Sequence, residues 1–432
     1  IMQVNAPSRL RSPMKRVGPR GSGEFEEISW DEALQIATDW LAPLRETAPE
    51  KLAFFTGRDQ SQSFTSLWAQ SYGTPNYAAH GGFCSVNMAA GGIYTMGGAF
   101  WEFGQPDWDH TKMFVLFGVA EDHDSNPIKI GIGQIKARGA KVVGVNPIRT
   151  GYNAVADDWY GITPGTDGLL ILSLIHCLMK AGKVDLDYLA QFTNAACLVN
   201  EDPDSPENGL LLKDKDGKPQ VIDRRTGKRA PWDGAGVEPD LSASYRYKGV
   251  TYRPVFHLMA DKYLDEAYAP EAVAERTGIS AGRIRQLAAE IAKVAFEEPV
   301  VLDREWTDFR GKTHKTMVGR PVSFHAMRGI SAHSNGFHTC RAIHVLQILL
   351  GTIDVPGGFR YKPPFPKPVP PALNGVAESV APEAQMPLVA ALVQPVGPST
   401  SAAAPSPSSA SPAFALSSSA SSSPSRCSPR SS

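Results

Sequence analysis

The chain has 432 residues, with 43 Lys and Arg against 44 Asp and Glu, a formal net charge of -1. That balance argues against a dedicated nucleic-acid binder, which carries a basic surplus. No apolar run approaches the roughly 18 residues that span a bilayer, so contact with a membrane is expected only through a partner. The five cysteines (Cys84, Cys177, Cys197, Cys340, Cys427) form no CxxC pair. This excludes a disulfide framework, and any zinc or iron–sulfur site built from closely spaced thiols among these residues.

Residues 1–10 do not read as a signal peptide, and the chain does not begin at Met. We expect the true start to lie upstream. Ser29 and Glu32 fit a capping box that opens a helix running to about residue 44. Residues 51–56 (KLAFFT) read as a buried strand, turned at Gly57 into a helix near 61–72. Residues 112–117 (KMFVLF) and 141–145 (KVVGV) read as strands flanking a helix at about 127–138. Two strands around one helix make a βαβ unit with parallel pairing. An apolar helix follows at 167–181. The polar stretch 200–252 reads as a surface insertion with a hairpin. Helices are expected at 269–276 and 281–294, a strand at 299–303, and a helix near 337–350 capped by Gly351. Residues 274–294 imitate a helix-turn-helix, and with near-neutral charge they read as helix packing. The fold class is α/β: parallel-sheet dinucleotide-binding domains with helices on both faces, a surface insertion, and a disordered C-terminal tail. In that tail, 28 of the 34 residues of 399–432 are Ser, Ala or Pro. Such a segment cannot bury enough apolar surface to offset chain ordering.

Three polar loops fall directly after strands or before helices. The first is Gly118 to Pro127, carrying Glu121, Asp122, His123 and Asn126. The second is Asn146, Pro147, Ile148, Arg149 and Thr150. The third is Thr163 to Asp167, with Gly165 and Thr166. Each alone reads as a turn or cap. In succession at one sheet edge they favour a dinucleotide-like ligand, because helix N-termini and strand ends receive phosphates. There is no GxGxxG fingerprint for a nicotinamide cofactor. Cys84 lies in a glycine-flanked turn before a helix, where a thiolate is favoured; it reads as either a small buried residue or a soft ligand. Cys177, Cys197 and Cys340 read as buried residues. Among the histidines, none forms an HxxxH pair, and His333 in SAHSNG is the best candidate to line a site.

The run RLRSPMKR with RGSGEFEEISWDEAL, then GAKVVGVNPIRT with DDWYGITPGTDGLL, then HSNGFHTCRAIHVLQILLGTIDVPGG, resembles molybdopterin oxidoreductases of the dimethyl-sulfoxide-reductase superfamily. The resemblance covers most of residues 7–360, in the family's order. It implies a molybdenum (or tungsten) centre held by two molybdopterin guanine dinucleotides, with Cys84 as the protein ligand to the metal. Gly118 to Asn126, Asn146 to Thr150 and Gly165 to Asp167 would hold one dinucleotide, Asp167 facing the guanine edge; many members carry aspartate at Asn146. His333, Asn335 and Gly336 would lie near the pterin and substrate, with His333 in a catalytic role. The resemblance also implies a [4Fe–4S] cluster in the intact protein, whose cysteines would precede Arg9. It places a β-rich domain after Gly358, where the Ser/Ala/Pro tail begins instead. A coding-frame error or truncation is the expectation preferred over a natural linker.

The implied organisation is a lead-in at 1–50, a discontinuous molybdopterin-binding α/β domain at 51–115 and 299–362, a second α/β domain at 116–298, and the tail at 363–432. The implied function is two-electron or oxygen-atom transfer on a small inorganic or one-carbon substrate, with sulfite or another sulfur oxyanion foremost. Implied partners are an iron–sulfur electron-transfer protein and a quinone-linked membrane anchor, on the cytoplasmic side, with export left open. The alternatives are formate dehydrogenase-type chemistry, a non-catalytic scaffold of a respiratory complex, and a plain nucleotide-binding protein.

Overall fold

The computed structural model describes residues 6–57, 62–80, 82, 86–97, 105–119, 127–326 and 328–360. They belong to one unit, Ile1–Val369; the other, Pro370–Ser432, lies outside the described residues, as does the expected tail at 363–432.

A hairpin of Met14–Arg16 and Phe25–Glu27 leads into helix α1 (Trp30–Thr47). Ser29 Oγ accepts the Glu32 N–H at 3.1 Å, the first half of the expected capping box. Among the described residues the reciprocal half is not formed; Glu32 pairs instead with Lys15 Nζ from the hairpin at 3.1 Å. The buried strand expected at 51–56 shrinks to Phe54–Phe55, paired with Tyr77–Ala78, and Phe55 is 67% exposed. A two-residue ladder in a two-stranded sheet leaves one face without a cover among the described residues. Helices α2 (Gln62–Tyr72) and α3 (Val86–Met96) follow.

The centre is a four-stranded sheet. Its strands are β1 (Met113–Phe117), β2 (Lys141–Val145), β3 (Asp158–Tyr160) and β4 (Val322–Ala326), in spatial order β4-β1-β2-β3. Every pairing is parallel. The sheet takes strands from both segments that the sequence divides at 115/116 and 298/299. All five β1 residues are buried, which is the pattern of a strand covered on both faces. Phe114, Leu116 and Val142 pack on Ile128, Ile132 and Ile135 of helix α4 (Pro127–Ala137). Met113, Val115, Phe117, Val143 and Val145 point to the opposite layer. That layer holds α5 (Asp167–Lys180), α6 (Pro270–Thr277), α7 (Ala281–Glu297) and α8 (Gly336–Leu350). The helix-turn-helix imitation is α6 and α7, joined through Gly278 at φ +74°; Ile284, Leu287 and Ile291 face the core. Each such buried apolar side chain contributes about 1.5–3 kcal/mol relative to exposure. Gly351 ends α8 in the left-handed conformation, as expected of a glycine cap.

The polar insertion carries the expected hairpin, Gln220–Ile222 with Arg229–Pro231. It also forms small cores of its own around Val221 and Tyr252. Arg310 fastens it to the body, donating to the carbonyls of Trp232 (2.7 Å) and Val237 (2.9 Å). Among the described residues no helix is long and apolar enough to cross a membrane.

Two histidines lie inside this fold. His325 in β4 is 2% exposed and neither ring nitrogen has a partner among the described residues. His344 in α8 is fully buried, its Nδ1 3.2 Å from Gln347 Oε1. Burial pushes both imidazoles down from 6.5 to about 4. The unfolded chain then takes up protons that the folded chain refuses, so stability present above pH 6.5 is lost as the pH falls towards 4. Each histidine accounts for about 3 kcal/mol of that loss. Urea unfolding at pH 7.5 and 4.5 should show the drop, and His325→Phe should remove about half of it; an unchanged pH profile in that variant would contradict the assignment.

Candidate functional site

All four parallel strands end at one edge, and every loop singled out in the sequence leaves from it. Strand β1 leads into 118–126, β2 into 146–150, β3 into 161–167, and β4 into 327–335. The chain leaves β1 towards β2 on one side, yet β4 lies on the other side of β1. The direction of winding therefore reverses between β1 and β4, which is where open α/β sheets leave a crevice for ligands.

At that reversal the backbones touch. Gly118 has φ +63°, and a Cβ there would sit 2.9 Å from Ile330 Cγ2. A Cβ on Gly329 would lie 2.5 Å from the Gly118 carbonyl oxygen. Only glycine fits at both places, and the Gly118 N–H is fixed by the Val145 carbonyl at 2.9 Å.

The second strand end is held by side chains. Asn146 is buried; its Nδ2 donates to the Ile148 carbonyl (3.2 Å), and its own carbonyl accepts from Trp159 Nε1 (3.0 Å). Pro147, Arg149 and Thr150 are exposed beyond it. Asn153, fully buried, donates to the carbonyls of Val119 (2.8 Å) and Thr150 (3.3 Å), so it ties the first loop to the second. Sequence reading missed Asn153. Its one signal was Gly144 inside β2, where a Cβ would fall on Asn153 Oδ1.

The third and fourth loops meet directly. Asn335 Nδ2 donates to the Gly165 carbonyl at 3.0 Å. Gly165 is left-handed (φ +82°), and His333 Nδ1 lies 3.5 Å from where its Cβ would be. Thr166 Oγ1 donates to the Thr163 carbonyl at 2.7 Å. Asp167, at the start of α5, is 5% exposed. Burial pushes its carboxyl up to about 6, opposed by its own backbone N–H and by nearby His333. A Cβ on Gly336 would fall on the Ser331 carbonyl oxygen and 2.9 Å from Asn87 Nδ2. Asn87 Nδ2 donates to that same carbonyl at 2.7 Å. This bond anchors the first turn of α3, which Val86 opens two residues after Cys84. A close approach of Gly91 to Cys340 lets α3 lie against α8.

Cys84, Glu121, Asp122, His123 and Asn126 lie outside the described residues. Gly118, Asn146, Pro147, Arg149, Thr150, Gly165, Thr166, Asp167, His333, Asn335 and Gly336 all fall on this edge. Among the described residues no group of three or more His, Cys, Asp or Glu could hold a metal ion. Burial pushes the Cys340 thiol up to about 12 and the Cys197 thiol up to about 11, so both stay protonated packing residues. The edge offers closely packed glycine turns, the N-terminal turns of α5 and α8, a buried carboxyl and an imidazole. Such a set suits a phosphorylated heterocycle held by its backbone and read at one end.

The molybdopterin oxidoreductase family matches residues 9–413. The first-lettered sulfite dehydrogenase subunit of Allochromatium vinosum is 48% identical over 385 residues, which is 86% of this chain and 39% of that protein. The thiosulfate reductase molybdopterin-containing subunit of Salmonella typhimurium is 30% identical over 203 residues, covering 45% and 25%. A dimethyl sulfoxide reductase of Haemophilus influenzae is 28% identical over 374 residues, covering 82% and 38%. The chain thus spans about two fifths or less of the length of these relatives. Acetylene hydratase from Pelobacter acetylenicus shares the fold, with a TM-score of 0.50 at 18% identity over 81% of this chain and 36% of that one. With the family model matched over residues 9–413, the chain belongs to the molybdopterin oxidoreductases.

Proposed function

We propose that this chain is part of the catalytic subunit of a molybdenum oxidoreductase acting on a sulfur oxyanion, sulfite foremost. The observation that carries the reading is the convergence of four strand-end loops on one carboxyl edge, at the reversal between β1 and β4. The named activity of a relative 48% identical supports the substrate class.

The residues present fit a pterin guanine dinucleotide. Gly118 and Gly329 let the loops after β1 and β4 lie against each other, and left-handed Gly165 sits beside His333. Asn146 to Thr150 border the second strand end, where Arg149 would meet a phosphate. Asp167 would accept from a guanine edge, since a carboxyl held near 6 is mostly ionised at neutral pH. When bound, the cofactor's molybdenum (or tungsten) would supply the two-electron change or oxygen-atom transfer. Cys84 would serve as the thiolate ligand. His333, beside Gly165, would hold or release a proton on the substrate side, with Asn335 and Gly336 fixing that loop. The Glu121 to Asn126 stretch would complete the cradle. We take the electrons to pass through a [4Fe–4S] cluster and an iron–sulfur partner to a quinone-linked membrane anchor, on the cytoplasmic side; relatives named as subunits support a multi-subunit enzyme.

Co-expression of the chain in its full gene context with complete cofactor synthesis should give stoichiometric molybdenum and sulfite oxidation with an artificial acceptor. A folded protein without metal would favour the scaffold reading, and a Cys84→Ser variant with full metal and turnover would reject the thiolate assignment. Asp167 gives a second test. Its folded-state pKa lies above the unfolded value of 3.8, so the stability it permits at low pH is lost as the pH rises through 6, by about 3 kcal/mol. Asp167→Asn should therefore raise stability at pH 7.5 while lowering retained guanine dinucleotide. A variant that loses stability and keeps its nucleotide would refute the role.

A further inference from the structure

We infer that one face of the polar insertion docks an acidic segment of a partner protein. The face begins with charge that the sequence leaves uncovered. Residues 224–232 and 241–260 together hold seven Lys and Arg and not one Asp or Glu. Two of the seven are matched from elsewhere. Arg225 lies 3.8 Å from Asp223 and from Glu238, and Arg253 pairs with Glu201 and with Asp261. The side chains of Lys228, Arg229, Arg246 and Lys248 are exposed and make no ion pair among the described residues.

Aromatic rings hold two of these cations where acids would otherwise stand. Tyr245 and Tyr247 share one face of a strand, Tyr245–Tyr247, at the edge of the sheet that it forms with Val250–Pro254 and Leu198–Asn200. Their rings stack at 6.2 Å and 18°. The Arg229 guanidinium, from the neighbouring hairpin, lies over both rings, 5.8 and 5.3 Å from their centroids. Lys248 Nζ lies over Tyr247 at 5.3 Å, from a turn in which Lys248 itself takes φ +50°. Lysine rarely adopts that left-handed conformation. A ring face attracts a cation without neutralising it, so the N–H groups of both remain available to a carboxylate. Charge on a short edge strand also discourages strand addition, but that service needs neither stacked rings nor an arginine reaching over from another hairpin.

Exposure and charge narrow the partner. One carboxylate on one exposed cation gains little, so a small anion would not stay. Several carboxylates carried on one segment gain enough together, and the same charge steers their approach. The Arg229 guanidinium can take a carboxylate in two-pronged fashion, and the Tyr245 and Tyr247 hydroxyls, bonded to nothing among the described residues, can donate to its neighbours. Tyrosine with arginine is also the pairing that protein interfaces favour. A nucleic acid needs a broader basic surface. Residues 200–252 as a whole carry nine Lys and Arg against ten Asp and Glu, so the surplus is confined to this face. The inference stands on the insertion and does not require the pterin reading.

Fluorescence anisotropy of a labelled octaglutamate peptide with the 432-residue chain at low salt tests it. The peptide should bind, and high salt should release it. The Arg229→Gln/Lys248→Gln variant should bind about tenfold more weakly, the effect of losing two charge pairs. Lys213→Gln/Lys215→Gln removes the same charge elsewhere on the insertion and should bind as the parent chain does. If Arg229→Gln/Lys248→Gln fails to fold, shown by a lost melting transition, Lys228→Gln/Lys248→Gln takes its place. A folded Arg229→Gln/Lys248→Gln variant that melts earlier yet binds the peptide undiminished would make the ring stack a structural staple and overturn the inference. No binding by the parent chain would overturn it as well, as would equal loss in Lys213→Gln/Lys215→Gln, or tighter binding of duplex DNA or phosphatidylserine vesicles than of the peptide.

Discussion

A parallel sheet buried on both faces has no room for polar chemistry along its length, and everything functional in this chain follows from that constraint. The ladders of β1 and β2 satisfy their backbone internally, and their side chains fill the two apolar layers. Polar groups can enter only where a strand stops. Asn146 is the first side chain past β2 with anything to donate, and it is at once enlisted to hold its own loop. The winding reversal then forces the loops after β1 and β4 together. The chain meets that crowding with two glycines, Gly118 and Gly329, whose missing side chains let backbone lie on backbone. Either one replaced by a larger residue would push open the crevice that the reversal creates.

Hydrogen bonds between distant segments turn this edge from a row of turns into a shaped surface. Asn87 to Ser331, Asn153 to Val119 and Asn335 to Gly165 each join loops that the sequence keeps far apart. All three use an amide side chain as donor to a backbone carbonyl, a bond that fixes position without adding charge. Charge enters separately, in Asp167. Position and electrostatics are thus carried by different residues, so one can change without the other.

The sequence was legible where one physical signal dominated. The apolar runs of β1 and β2, the helix from Asp167, and the glycine stop at 351 are local features, and the structure has them within a residue or two. The loops at 146–150 and 163–167 were legible too, because strand ends and helix starts announce themselves. What stayed hidden was set by tertiary contact. Strand β4 carries Ser323 and His325 into the interior, a composition that does not read as a buried strand. Strand β3 is three residues long, too short for any alternation to register. Residues 51–56 erred the other way, since an apolar run finds only a two-residue ladder. Asn87 gave no local sign and Asn153 only the glycine at 144, because their partners lie 244 and 34 residues away.

Asp167 shows why such a site survives in a fold that gains nothing from it. A carboxyl pushed up by burial, with no cation bonded to it among the described residues, works against folding at neutral pH. It tops α5, whose Leu170, Ile171, Leu174 and Ile175 are all fully buried. At about 1.5–3 kcal/mol for each such side chain, the helix can carry an unfavourable first residue without fraying. The acidic group also stands where α5 starts, so the helix dipole lends it partial compensation. The carboxyl thus sits on a well-anchored helix at the edge where the strand-end loops converge, and under the proposed reading it is kept there for the guanine edge.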